Sequence, residues 1–107
     1  MPAPRILGRK YKQPGETADF YVDWSEWFAG DPANGLPARL DSPITVATPD
    51  FPAGVTLEDL ALVGYAAKLV ISGGTSGVRH KITVRMTTDA SPPIIDEAEF
   101  ELYILEA

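Results

Sequence analysis

An all-β fold of two packed antiparallel sheets is predicted for this 107-residue sequence by three observations. First, the last third holds two long stretches that alternate with period two. In Val78–Thr88, the residues His80, Ile82, Val84 and Met86 share one face, and Arg79, Lys81, Thr83, Arg85 and Thr87 share the other. In Asp96–Leu105, the residues Ala98, Phe100, Leu102 and Ile104 stand opposite Glu97, Glu99, Glu101 and Tyr103. Such alternation marks strands with one buried and one wet side. Second, the two wet stripes carry opposite charge, which favours lateral pairing of the two strands. Third, turn residues punctuate the rest of the chain at short intervals, and only one short segment has helical spacing.

The elements follow in order. Residues 1–15 hold three prolines and two glycines with no clear period, and read as an extended basic arm ending at the Pro14-Gly15 turn. The expected division is therefore an arm over 1–16 and a β-sandwich domain over 17–107. Thr17–Val22 is aromatic and β-branched, the composition of a first strand. Asp23 with Glu26 three residues later has the chemistry of a helix start. Trp24, Trp27 and Phe28 then share one face of a helix that Gly30 and Asp31-Pro32 stop after one or two turns. Ile44–Thr48 is a strand between prolines. Val55–Leu57 and Leu60–Val63 read as two short strands parted by Glu58-Asp59, and Ala67–Ser72 as the next. Gly73–Gly77 is a tight glycine-rich loop suited to a hairpin. With the two alternating stretches this makes about seven strands and one short helical turn, the pattern of an immunoglobulin-like antiparallel two-sheet sandwich. A small barrel is the structural alternative.

Composition narrows the function classes. The absence of cysteine excludes disulfides, zinc–thiolate sites and a cysteine nucleophile. No apolar run approaches the roughly 20 residues that span a bilayer, and the first residues lack the apolar middle of a signal peptide. The net charge of −6 is unevenly spread. Residues 1–12 carry Arg5, Arg9, Lys10 and Lys12 without an acid, giving +4, while the remainder carries five basic and fifteen acidic residues, giving −10. That balance disfavours nucleic acid as a partner. A basic arm on an acidic body suits either docking on a neighbouring acidic surface, such as another copy of the chain, or a disordered, solvated terminus. The residues expected to make that contact are the cations Arg5, Arg9, Lys10 and Lys12, with apolar support from Ile6, Leu7 and Tyr11. Trp27 is a second contact candidate, because a single helical turn rarely hides two indoles and a phenyl ring. Trp24 reads as a plug for the open end of the sandwich.

Signals for chemistry are weak. His80 is the lone histidine and cannot build a histidine metal site. A Ser–His contact with Ser72 or Ser76 is conceivable, but the loop fits neither the G-x-S-x-G elbow nor the phosphate-binding loop. Glu97, Glu99 and Glu101 alternate along one strand, where facing Arg and Lys residues are their simplest partners. Asp31-x-x-Asn34-Gly35 is the nearest approach to an ion-binding turn. No metal or cofactor is expected.

The order of five short elements resembles a known family. These are Tyr21-Val-Asp-Trp24-Ser-Glu-Trp27 with Gly30-Asp31, then Pro52-x-Gly54-Val-Thr-Leu57, then Ile71-Ser-Gly-Gly-Thr75-x-Gly77, then Ile82-Thr-Val with Thr87-Thr88, and finally Asp96-Glu97-x-x-Phe100-x-Leu102. Over about residues 17–105 the chain is similar to the small bacteriophage virion proteins labelled fibre–tail adaptors. The ending Asp-Glu-Ala-Glu-Phe departs from that family, which tends to place a basic residue after the acid. Pro92-Pro93 stands where the family has glycine. The resemblance implies a non-enzymatic virion structural protein without a cofactor. It would be an adaptor or decoration module joining head, neck, tail or fibre components, present in several copies, and assembled in the host cytoplasm. The expected partners are other phage structural proteins, with neither nucleic acid nor membrane among them. Two other classes stay open. A carbohydrate-binding or adhesion module would use Trp24, Trp27 and Tyr65 as stacking platforms, and a hydrolase would depend on His80.

Overall fold

The structure is a computed structural model that describes residues 5–106, with side chains from residue 7 onward. Seven strands, one helical turn and one 3-10 turn follow each other along the chain. They are β1 (Arg5–Lys12), β2 (Ala18–Asp23), α1 (Ser25–Ala29), a 3-10 turn (Pro32–Asn34), β3 (Pro43–Ala47), β4 (Thr56–Val63), β5 (Ala66–Ser72), β6 (Arg79–Thr88) and β7 (Ile95–Ile104). They form a four-stranded sheet in the order β1-β7-β6-β3 and a three-stranded sheet in the order β2-β5-β4. Four strands packed against three is the strand count of an immunoglobulin-like sandwich, and every pair but one is antiparallel. The exception is β1, which sits in parallel beside the last strand.

The core lies between the sheets and is built from the apolar positions of the alternating stretches. Ile82 and Phe100 are register partners, as are Val84 and Ala98, and all four are buried. On the facing sheet Phe20 pairs with Leu69 and Val22 with Ala67, also buried. The layers meet at Phe20 and Phe100, whose ring centroids are 5.9 Å apart and tilted by 35°, within the range in which aromatic pairs attract. Among the described residues, no buried side-chain nitrogen or oxygen lacks a hydrogen-bond partner.

The helical turn starts one residue later than the Asp23–Glu26 capping pattern predicts, with Trp24 at the N-cap and no side-chain cap bond there. The Asp23 carboxylate accepts from the Ser25 N–H at 2.8 Å, satisfying one of the donors left open at a helix start. Gly30 stops the turn with φ +69°, its N–H donating to the Glu26 carbonyl at 3.2 Å. Trp24 closes the sandwich end as a plug: it is 1% exposed, and its indole N–H donates to Asp96 Oδ2 at 2.8 Å.

Three boundaries differ from those read in the sequence. The two short strands expected around Glu58-Asp59 are one strand, β4. Its register shifts between Leu57 and Asp59, so the acidic pair marks a β-bulge and not a break. Residues 13–17 alone separate β1 from β2, and β1 is not an arm apart from the sandwich but the edge strand of the larger sheet. The division expected at residue 17 therefore falls between two strands of the same sandwich. Residues 1–4 of the expected arm lie outside the described residues.

Candidate docking surface

The sequence-predicted contact residues divide according to the way β1 faces. Lys12 points inward and is 2% exposed. Its ammonium donates to the carbonyls of Gln13 and Gly73, each at 2.6 Å. It is thus a structural cation enclosed by the sandwich and not a surface charge. Lys10 is half-buried, with Nζ 5.8 Å from the centroid of the Phe100 ring, a cation–π distance. Leu7, Arg9 and Tyr11 are exposed. Arg9 lies over the Tyr103 ring at 5.3 Å, and Tyr11 stacks beside the same ring at 5.6 Å. The side chains of Arg5 and Ile6 lie outside the described residues.

Beside this stripe the wet face of the four-stranded sheet is neutralised internally. Arg85 stands opposite Glu97, and its guanidinium donates through two nitrogens to Glu97 Oε2, at 2.9 and 2.8 Å. Lys81–Glu99 and Arg79–Glu101 form diagonal pairs, each at 3.7 Å. The Arg79 guanidinium is held above its ordinary value, first by its hydrogen bond to Tyr103. The acidic stripe is therefore committed to the sheet's own cations, as the alternating charges predicted.

Trp27 is not a bare platform. It is half-buried, packs edge-on against Phe28 with centroids 4.8 Å apart, and carries Arg39 across its face at 4.3 Å. Arg39 is itself fixed by two parallel bonds to Asp41, both 2.9 Å, and this pairing lowers the Asp41 carboxyl below its ordinary value near 3.8. Tyr65 packs on Phe28 instead of lining up with the tryptophans. With Trp24 buried, the three rings proposed as a sugar platform share no open face.

Sequence reasoning passed over the neighbouring segment 36–41. Leu36 and Leu40 are exposed there, and a groove of about 510 Å³ is lined by Leu36, Pro37, Ala38, Leu40 and Ala90 together with Arg39 and Asp41. The segment is tied down by the Arg39 N–H donating to the Phe28 carbonyl at 2.8 Å, and by Ser42 and Asp89 exchanging hydrogen bonds at 2.9 and 3.0 Å. Its only sequence signal is two leucines inside a proline-bounded loop, which have no strand or helix period.

The groups considered for catalysis or ion binding have other occupations. The Ser72 hydroxyl donates to Glu58 at 2.6 Å and the Ser76 hydroxyl accepts from the Glu106 N–H at 3.3 Å. A Cβ at Gly54 would lie 3.3 Å from His80 Cε1, so the imidazole backs onto that turn. Asn34 donates to Asp31 Oδ2 at 2.7 Å, closing the turn on itself. Among the described residues no cluster of three or more His, Asp or Glu is placed to hold a metal, and no helix is long and apolar enough to cross a membrane.

No curated protein matches the chain. A family match does exist, and it begins at Lys12, the buried lysine, and runs to Tyr103, on whose ring Arg9 and Tyr11 rest. Over residues 12–103, most of its length, the chain belongs to the family described as podophage GP4 fiber-tail adaptor protein gp77.

Proposed function

We infer that this protein is a non-enzymatic structural component of the phage virion, an adaptor or decoration module that joins fibre, tail or head parts through contacts made by several copies. The observation that carries this reading is the family match over residues 12–103 on a sandwich whose outer-face charges pair within its own sheet. A module of that kind contributes rigidity and surface. In a symmetric particle each contact can be weak, because linked sites raise the effective concentration of the next. The attachment surface is the outward stripe of β1, where Leu7, Arg9 and Tyr11 place a cation between two exposed apolar groups. An acidic, partly apolar patch on a neighbouring virion protein is the complementary partner. Trp27, half-buried beneath Arg39, remains the second candidate contact.

The test replaces the stripe without removing the strand. Leu7→Ser with Tyr11→Ser should leave the far-ultraviolet spectrum and cooperative unfolding in place, while the protein recovered with purified particles falls at least tenfold. Normal incorporation of this double variant would reject β1 as the attachment surface.

A further inference from the structure

We propose that β1 is exchanged between copies, so that in the assembled particle residues 5–12 of one chain lie along β7 of its neighbour. This rests on the multi-copy structural reading above. Four observations carry it. Among the residues whose side chains are described, every member of the buried apolar cluster comes from residue 20 onward, outside β1. Among the described residues, the contacts that hold β1 are few and separable. They are a parallel backbone ladder, the Lys12 ammonium on the Gly73 carbonyl, Lys10 over Phe100, and Arg9 and Tyr11 on Tyr103. The ladder itself is interrupted, its register shifting between Ile6 and Arg9 around Gly8 at φ +89°. Finally, the link to β2 is a turn at Pro14-Gly15 fastened by Glu16 N–H to the Gln13 carbonyl at 3.1 Å and Gln13 N–H to Glu16 Oε1 at 3.2 Å. Opening it turns residues 13–17 into a tether of about 17 Å.

The occupant is identified by the molecule's own packing. The β7 edge accepts this strand with these lysines and this tyrosine, and an identical chain presents the same edge. Exchange leaves every contact type unchanged and alters only which chain supplies the strand, the low-cost route to association. It also sets a cation-rich segment on the acidic body of another copy. In dilute solution the intramolecular arrangement wins, since the tether keeps the strand beside its own sheet. At the local concentrations of an assembly site the balance reverses. Strand addition of this kind draws its affinity from main-chain hydrogen bonds.

The chain has no cysteine, so introduced thiols report without background. Tyr11 and Tyr103 are register partners on parallel strands, a spacing a disulfide can bridge. Tyr11→Cys in a tagged chain and Tyr103→Cys in an untagged chain would be supplied together during phage growth, and the particles oxidised. Exchange predicts a disulfide-linked heterodimer in particles and none in the dilute mixture of the two free chains. The doubly substituted single chain, free in dilute solution, should close its bond internally. Particles that contain both chains yet give no heterodimer, while the doubly substituted chain within particles closes only internally, would overturn exchange and leave the virion reading intact. Ile6→Cys with Glu99→Cys, also register partners, repeats the measurement with Leu7, Arg9 and Tyr11 intact if the tyrosine variants fold poorly or stay out of particles. Absence of every variant and of the unmodified chain from particles would overturn the virion reading itself, and this proposal with it.

Discussion

On one flank of β7 the neighbouring strand β6 runs antiparallel through nine uninterrupted register pairs, whereas on the other β1 runs parallel through six pairs split by a bulge. The β6 flank turns Ile82, Val84 and Met86 into the core and sets Arg85, Lys81 and Arg79 against glutamates outside. The β1 flank turns lysines inward: Lys12 onto two carbonyls and Lys10 toward the Phe100 ring. Parallel pairing is also slightly weaker per residue. One strand is therefore bound on one side by burial of apolar surface and on the other by directional contacts to a few cations. The first kind of attachment is permanent on the scale of the folded protein, and the second can be undone without emptying the core.

That contrast breaks most severely on the β6 side. Phe100→Ala removes a fully buried ring at the meeting point of both sheets and should cost about 3–5 kcal/mol, read as the loss of denaturant midpoint at unchanged slope. A loss below about 1 kcal/mol would show that the core does not depend on this flank. On the β1 side the expected effect is smaller. Lys12→Ala orphans the Gly73 carbonyl and should cost about 1–3 kcal/mol. Lys12→Met keeps the aliphatic stem and removes only the donor. If Lys12→Met proved as stable as the original in chemical denaturation, β1 would be held by packing after all, and the two flanks would be alike. The smallest effect belongs to the outer ladder. Arg85 is 40% exposed, so Arg85→Ala should cost about 0.5–1 kcal/mol or less, and the difference from the parent should shrink as salt is raised from 0.05 to about 0.5 M.

The same contrast explains what was legible in the sequence. β6 and β7 announced themselves because period-two alternation placed aliphatic groups on one side and paired charges on the other, and the structure buries Ile82 and Phe100 together and joins Arg85 to Glu97. Trp24 as a plug was legible from its spacing with Phe28, though its bond to Asp96, 72 residues away, was not. β1 carries no such signature, because its described inward positions are Lys10 and Lys12 and its partner strand is some ninety residues distant. The Leu36–Asp41 groove carries none for a related reason: it is made by hydrogen bonds that bring residues 28, 42 and 89 to one place, not by a local pattern.

Gly30 carries a consequence for comparing relatives. A Cβ at this position would sit 2.5 Å from the Pro37 carbonyl oxygen, and its φ of +69° already excludes most residues. The obstacle is main chain, which cannot swing aside as a side chain would. A relative with any larger residue at the matching position must route residues 31–41 along another path, and with them the exposed leucines at that tip. One letter in an alignment therefore sorts relatives that share this apex from those that have replaced it.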